Sequence, residues 1–129
     1  MIRLGYVLLY VDDVLGTVDF YERAFGLEKG FLHESGDYGE ARTGSTILGF
    51  VAHGTASSHG FRYRPTRIEE VAPGFEIGLV VEDVPRAFER AVTAGASVLS
   101  SPETKPWGQV VAYVRDQNGF IIELCTAMG

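Results

Sequence analysis

The pattern of apolar and polar positions divides the chain into two series of elements that follow the same order. In the first series, an apolar run predicts a strand over residues 4–11, and apolar positions spaced by three and four predict a helix from Val14 to Phe25. Asp12 and Asp13 are placed to cap the start of this helix and Gly26 to cap its end. Three short stretches separated by Gly turns, at 31–33, 39–43 and 46–52, are predicted to be further strands. The first series is therefore a β-α-β-β-β unit.

The second series repeats this order. A strand is predicted over 75–81, followed by a helix capped by Asp83, with Pro85 in its first turn, that ends at Gly95. Strands are predicted over 97–100, 110–115 and 120–126, and the Asp-Gln-Asn-Gly run at 116–119 predicts a hairpin turn.

The two series are also related residue by residue. The run VLLYVDDV at 7–14 returns as IGLVVEDV at 77–84, an offset of 70 that takes Val11 to Val81. GSTIL at 44–48 aligns with GFIIE at 119–123 at an offset of 75. A repeat of this length is a whole supersecondary unit, and a ligand cleft between two such units is expected. We predict one domain over 1–129, with module one at 1–52, a linker at 53–74 and module two at 75–129.

The linker at 53–74 is rich in Gly, Ser, Arg and His and has no periodicity, so no regular structure is predicted in it. It is either a mobile crossover connection or a lid that carries ligand contacts from Phe61, Arg62, Tyr63 or Arg64.

Charge and composition narrow the class of protein. The chain of 129 residues is 46% hydrophobic and carries a net charge of −6 without a basic block, which argues against nucleic acid or an anionic membrane as a partner. No apolar run approaches 18 residues and no leader pattern is present, so a cytoplasmic location is expected. The single Cys125 cannot form an internal disulfide and is predicted to be a packed thiol in a reducing compartment.

Short runs in a fixed order resemble the vicinal oxygen chelate superfamily, which holds glyoxalase I, the bleomycin-resistance proteins and the extradiol dioxygenases. They are VDDV at 11–14, DFY at 19–21, FGL at 25–27, VEDV at 81–84, AGA at 94–96, PWG at 106–108, VRD at 114–116 and GFIIEL at 119–124. The resemblance implies an α+β fold in which two βαβββ modules form a curved, barrel-like mixed sheet, and it implies a homodimer.

The resemblance also implies four positions for metal ligands, which fall on Tyr6, Leu48, Glu76 and Glu123. In metal-dependent relatives the ion polarises two neighbouring substrate oxygens. Leu cannot ligate a metal, and neutral Tyr is a poor ligand because its pKa is about 10. Two carboxylates are few for a catalytic metal, so no cofactor is expected, and a divalent metal on Glu76 and Glu123 is the alternative.

Several side chains are candidates for ligand contacts. Glu123 shares a strand face with Ile121 and Cys125, where it either accepts a hydrogen bond from Tyr6 or water as a vestige of the family site or anchors a ligand. Trp107 is either packed at a strand end or a stacking wall for an aromatic or cationic ligand. The sequence leaves open which face Tyr113 occupies. The histidines show no ligand-like spacing and are predicted to lie at the surface: His33, His53 and His59.

These observations favour a homodimeric protein of the glyoxalase and bleomycin-resistance group that binds a small organic molecule in the cleft between its modules. The predicted ligand contacts are Tyr6, Leu48, Glu76, Trp107, Tyr113 and Glu123. Glu76 and Glu123 are expected to converge, which would raise the pKa of at least one. The alternatives are a metal-dependent lyase or isomerase related to glyoxalase I or the dioxygenases, and a fold retained for dimer assembly alone.

Overall fold

A computed structural model describes residues 1–128, which divide into two compact units, 1–65 and 66 onward. The first unit contains β1 (Tyr6–Val11), α1 (Val14–Phe25), β2 (Glu28–Leu32), β3 (Tyr38–Arg42), β4 (Ile47–Ala52) and α2 (His53–Ser57). The second contains β5 (Glu76–Val80), α3 (Val84–Ala94), β6 (Ser97–Thr104), β7 (Val110–Arg115) and β8 (Ile121–Cys125). None of the helices among residues 1–128 has the length and apolar composition needed to span a bilayer.

Both long helices begin and end where the sequence predicts. The Asp13 carboxylate accepts the Gly16 N–H at 2.9 Å, and the Asp83 carboxylate accepts the Arg86 N–H at 3.1 Å. Each satisfies a donor that the first helical turn leaves unpaired. Gly26 closes α1 with a φ of 72°, in the left-handed region where a Cβ is costly.

Each unit has its own four-stranded mixed sheet with the same strand order. The orders are β1-β4-β3-β2 and β5-β8-β7-β6, and in both sheets the first and last strands of the unit pair in parallel. The predicted α+β class and the two βαβββ modules are therefore confirmed, and each module is a separate sheet.

One face of each sheet packs against the unit's long helix. In the first unit Leu9 and Phe50 are buried on this face, where the Phe50 ring lies 4.9 Å from that of Tyr21 on α1. Alternation along β1 then places Tyr6, Leu8 and Tyr10 on the opposite, helix-free face. The helix-free faces carry the polar and exposed side chains that concern function.

Strand register corrects the alignment of the two modules by one residue. Leu8 pairs with Gly49 in the first sheet, and the repeat-related Gly78 pairs with Glu123 in the second. Gly49 is therefore the counterpart of Glu123, at an offset of 74 (123 minus 49). Leu48 pairs with Val7 and is buried on the helix-facing side, so its alignment with Glu123 was wrong.

The connection between the sheets is more ordered than its composition predicts. Residues His53–Ser57 form the short helix α2, which contradicts the expectation of no regular structure from residue 53 onward. At the start of the second unit, the largely buried Arg115 guanidinium donates to the carbonyl oxygens of Arg67 and Ile68 at 3.1 Å each. This part of the connection is held to the end of β7.

Candidate functional site

The helix-free face of the second sheet brings together a group of ionisable side chains around Glu123. Strand β8 lies between β5 and β7, so Glu123 is flanked by Gly78 on one side and by Tyr113 on the other. Glu76 lies two residues before Gly78 on β5, and Cys125 lies two residues after Glu123 on β8, so both share the face of Glu123. The predicted alternation, which places Glu123 on one face with Ile121 and Cys125, is confirmed. The sequence left the face of Tyr113 open, and the structure places Tyr113 on the same face as Glu123.

Glu76 and Glu123 form a hydrogen-bonded carboxyl pair. The hydrogen bond to Glu123 raises the pKa of Glu76 to about 7, and partial burial and the charge of Glu123 act in the same direction. Burial alone would raise the pKa of Glu123, but hydrogen bonds to Glu76, Cys125 and Tyr113 hold it below its ordinary value. Near pH 7 Glu123 is therefore ionised, while Glu76, with its raised pKa, is about half protonated.

The neighbours of the carboxyl pair are held in their neutral forms. The Tyr113 hydroxyl donates to Glu123 Oε1 at 3.1 Å, and burial together with this bond raises the pKa of Tyr113 to about 12. Burial and the hydrogen bond to Glu123 raise the pKa of Cys125 to about 11. Both groups are hydrogen-bond donors at neutral pH, and neither is a ready nucleophile.

An open notch lies beside the carboxyl pair at Gly78. A Cβ built on Gly78 would meet no atom within 4 Å, although this residue is paired directly with Glu123. A ligand group can therefore approach Glu123 over the backbone of β5 without moving a side chain.

In the first sheet, Leu8 and Tyr38 fill the space beside Gly49, the counterpart of Glu123. A Cβ at Gly49 would lie 2.6 Å from Leu8 Cδ2 and 2.9 Å from Tyr38 Oη. The Tyr38 hydroxyl donates to Glu40 Oε2 at 2.6 Å, and Glu40 is the residue that pairs with Gly49. The first sheet thus keeps a Tyr–Glu hydrogen bond, but its carboxylate comes from β3 and not from β4.

The donor groups at the positions that the family resemblance implies for a metal are a phenol and two carboxyl groups. The first sheet offers the phenol of Tyr6 and, at Gly49, a position that Leu8 and Tyr38 occupy. The second sheet offers two carboxyl groups that share a proton. Within residues 1–128 no three His, Cys, Asp or Glu side chains are grouped as a metal site requires.

Trp107 lies in a different part of the second unit. It lines a pocket of about 430 Å³ with Gly108, Gln109, Ala127 and Met128. Its indole N–H donates to Gln109 Oε1 at 2.9 Å, and the Gln109 amide donates to the Thr126 carbonyl at 2.8 Å. The ring is therefore held in place while 65% of the residue stays exposed.

The structure thus brings together three of the six predicted contacts, Glu76, Tyr113 and Glu123. It places Tyr6, 58% exposed, on the helix-free face of the first sheet, and it buries Leu48 in the core. Sequence reasoning missed the two glycines, Gly49 and Gly78, although the repeat contains the signal once strand pairing fixes its register.

Comparisons with known proteins agree with this architecture. The model of the Glyoxalase/Bleomycin resistance protein/Dioxygenase superfamily matches residues 3–124, so the chain belongs to that superfamily. The uncharacterized protein YraH of Bacillus subtilis (strain 168) is 24% identical over 123 residues, covering 95% of this chain and 96% of YraH.

Solved structures show the same fold. A glyoxalase-related enzyme from Fulvimarina pelagi has a TM-score of 0.84 at 19% identity, covering 98% of this chain and 89% of that one. TioX from Micromonospora sp. ML1 has a TM-score of 0.72 at 25% identity, covering 96% of this chain and 98% of TioX.

Proposed function

We propose that this protein binds a small organic molecule bearing an ammonium or similar cationic donor group, on the helix-free face of the second sheet. The observation that carries the proposal is the carboxyl pair of Glu76 and Glu123 beside the open notch at Gly78. Glu123 supplies a negative charge at neutral pH, and Glu76 adds a second one when it loses its proton. A cation with N–H donors satisfies both carboxylates, and the notch gives it room.

Trp107 is proposed as a separate apolar contact. Because its ring is fixed by Gln109, it loses little freedom when it stacks on a ligand group. Tyr6 remains a proposed contact on the first sheet, and Leu48 is not proposed.

Titration with benzylammonium, followed through the backbone amide signal of Gly78 in NMR spectra, tests the proposal. Between pH 6 and pH 8 the ionised fraction of a carboxyl group with a pKa of about 7 rises from about one tenth to about nine tenths. Cation binding should therefore strengthen by up to about tenfold over this range. Glu76→Gln should remove most of the pH dependence, since only Glu123 then supplies charge.

Two controls test whether binding depends on the positive charge of the ligand and on the open space at Gly78. Benzyl alcohol, which has the same ring without the charge, should bind weakly and without pH dependence. Gly78→Val fills the notch with a residue that strands favour and should weaken benzylammonium binding by about tenfold or more. Equal binding of the amine and the alcohol, or unchanged binding to Gly78→Val, contradicts the proposal.

We also propose that no transition metal takes part. Protein purified without chelator should contain far less than one Zn²⁺, Ni²⁺, Fe²⁺ or Mn²⁺ per chain, because the donors at the four family positions are a phenol, a glycine and a proton-sharing carboxyl pair. Elemental analysis checks this. About one such ion per chain, released by Glu123→Gln, would instead favour a metal-dependent lyase, isomerase or dioxygenase-related enzyme.

A homodimer is the proposed assembly. Each four-stranded sheet has open edges, and the second sheet ends on β6, whose Val98 and Leu99 are about half exposed. Symmetric pairing would cover such apolar surface. Sedimentation at micromolar concentration should show twice the chain mass of 14.1 kDa, and a species of 14.1 kDa alone would refute the assembly.

A further inference from the structure

A side-chain relay links the residues that follow α2 to the end of β1. His53 Nδ1 lies 2.7 Å from the Tyr63 hydroxyl, and His53 Nε2 lies 3.6 Å from Asp12 Oδ1. The His53 side chain is only 18% exposed, so the prediction that it lies at the surface was wrong. The two ring nitrogens thus link the end of β1 to Tyr63, ten positions after His53 along the chain.

Tyr63 covers one end of the helix-free face of the first sheet. Its ring packs edge-on against Tyr10 with centroids 4.9 Å apart. Tyr10 follows Tyr6 and Leu8 along the same face of β1, and those two residues are 58% and 45% exposed. Removing Tyr63 from this position would extend the exposed strip by one aromatic residue.

The segment around Tyr63 is held to α2 at its start, where the backbone N–H groups of residues 58–60 donate to carbonyl oxygens of that helix. Residues 58–65 form no helix or strand, and Phe61, Arg62 and Arg64 are exposed. Phe61 stacks with His59 of the same segment and meets the Tyr63 ring edge-on. Segments with few buried contacts open at low free energy, so the relay to His53 decides how often this one opens.

We propose that residues 58–65 are a lid over the Tyr10 end of this face, and that the Asp12–His53–Tyr63 relay is its clasp. The bond at 2.7 Å carries most of the closure, because the Asp12 contact is longer and Asp12 is two thirds exposed. Opening uncovers Tyr10 and gives a ligand on the first sheet an aromatic surface that the closed lid hides.

Limited trypsin digestion of the full chain measures lid opening at one peptide bond. Arg62–Tyr63 is cleavable only from an extended chain. Arg64 precedes Pro65 and resists trypsin, and the Arg67 carbonyl is held by Arg115. When reclosing is faster than cleavage, the rate at Arg62 reports the open fraction.

Three variants should give a fixed order of cleavage rates. Tyr63→Phe keeps the ring against Tyr10 and loses only the hydroxyl bond, so cleavage should rise about 3- to 10-fold. His53→Phe removes both contacts and should give a larger rise. Asp12→Asn should change the rate less than about twofold. Tyr113→Phe, a matched loss of a hydroxyl in the second unit, should leave it unchanged.

The proposal fails if Tyr63→Phe is cleaved at Arg62 at the rate of the parent protein. It also fails if cleavage after Arg42 in β3 and Arg90 in α3 rises in parallel with cleavage at Arg62, because the variant then unfolds whole units and does not open a lid.

Discussion

Gly49→Glu, which restores a carboxylate at the family's ligand position in the first sheet, should destabilise the protein by about 2–3 kcal/mol. Its Cβ would lie 2.6 Å from Leu8 Cδ2 and 2.9 Å from the Tyr38 hydroxyl, so both side chains must move. The new carboxylate would also stand directly opposite Glu40, and like charges at paired positions destabilise a sheet. Urea unfolding at pH 7 measures the loss.

Two alanine variants separate the effect of space from that of charge. Gly49→Ala should cost about 1–2 kcal/mol, because even a methyl group meets Leu8 and Tyr38. Gly78→Ala, at a glycine of the second sheet where a Cβ meets nothing, should be neutral or stabilising by up to about 1 kcal/mol. Equal stability of the two alanine variants would show that Leu8 and Tyr38 do not fill the place beside Gly49.

The difference between the two sheets also shows what the sequence could predict. The caps at Asp13, Gly26 and Asp83 were predicted correctly, since each depends on residues within one helical turn. The two modules were predicted because the repeat extends over both halves of the chain, and the family was predicted because short runs in a fixed order resemble it. Local patterns of this kind need no knowledge of distant contacts.

Register and side-chain pairing were beyond the reach of these patterns. Aligning Leu48 with Glu123 was off by one residue, and a shift of one residue moves a side chain to the other face of a strand. No spacing in the sequence connects His53 with Tyr63 or Tyr113 with Glu123, because strand pairing and the path after α2 bring them together. The helical turns of α2 were missed because a helix of five residues shows no periodicity.

Cys125 should react with iodoacetamide about 100-fold more slowly at pH 8 than an ordinary thiol of pKa 9. Burial and the hydrogen bond to Glu123 raise its pKa to about 11, which lowers the thiolate fraction by that factor. Because burial also limits access of the reagent, the rate is measured from pH 7 to pH 11. Limited access lowers the rate by the same factor at every pH, whereas the pKa sets the pH at which the rate reaches half of its maximum.

Glu123→Gln tests whether the carboxylate holds the proton on the thiol. This variant keeps the size and burial of the site but removes the negative charge, so the midpoint for alkylation of Cys125 should move toward pH 9 and the rate at pH 8 should rise about tenfold. Tyr113→Phe, which removes a neutral donor to the same carboxylate, should leave the midpoint at or above that of the parent protein, since the charge on Glu123 stays. A midpoint near pH 9 in the parent protein would mean that neither burial nor Glu123 acts on the Cys125 thiol. Glu76, Tyr113 and Cys125 all form hydrogen bonds with the same placement of the Glu123 side chain. Such a midpoint would therefore also argue against the hydrogen bond between Glu76 and Glu123.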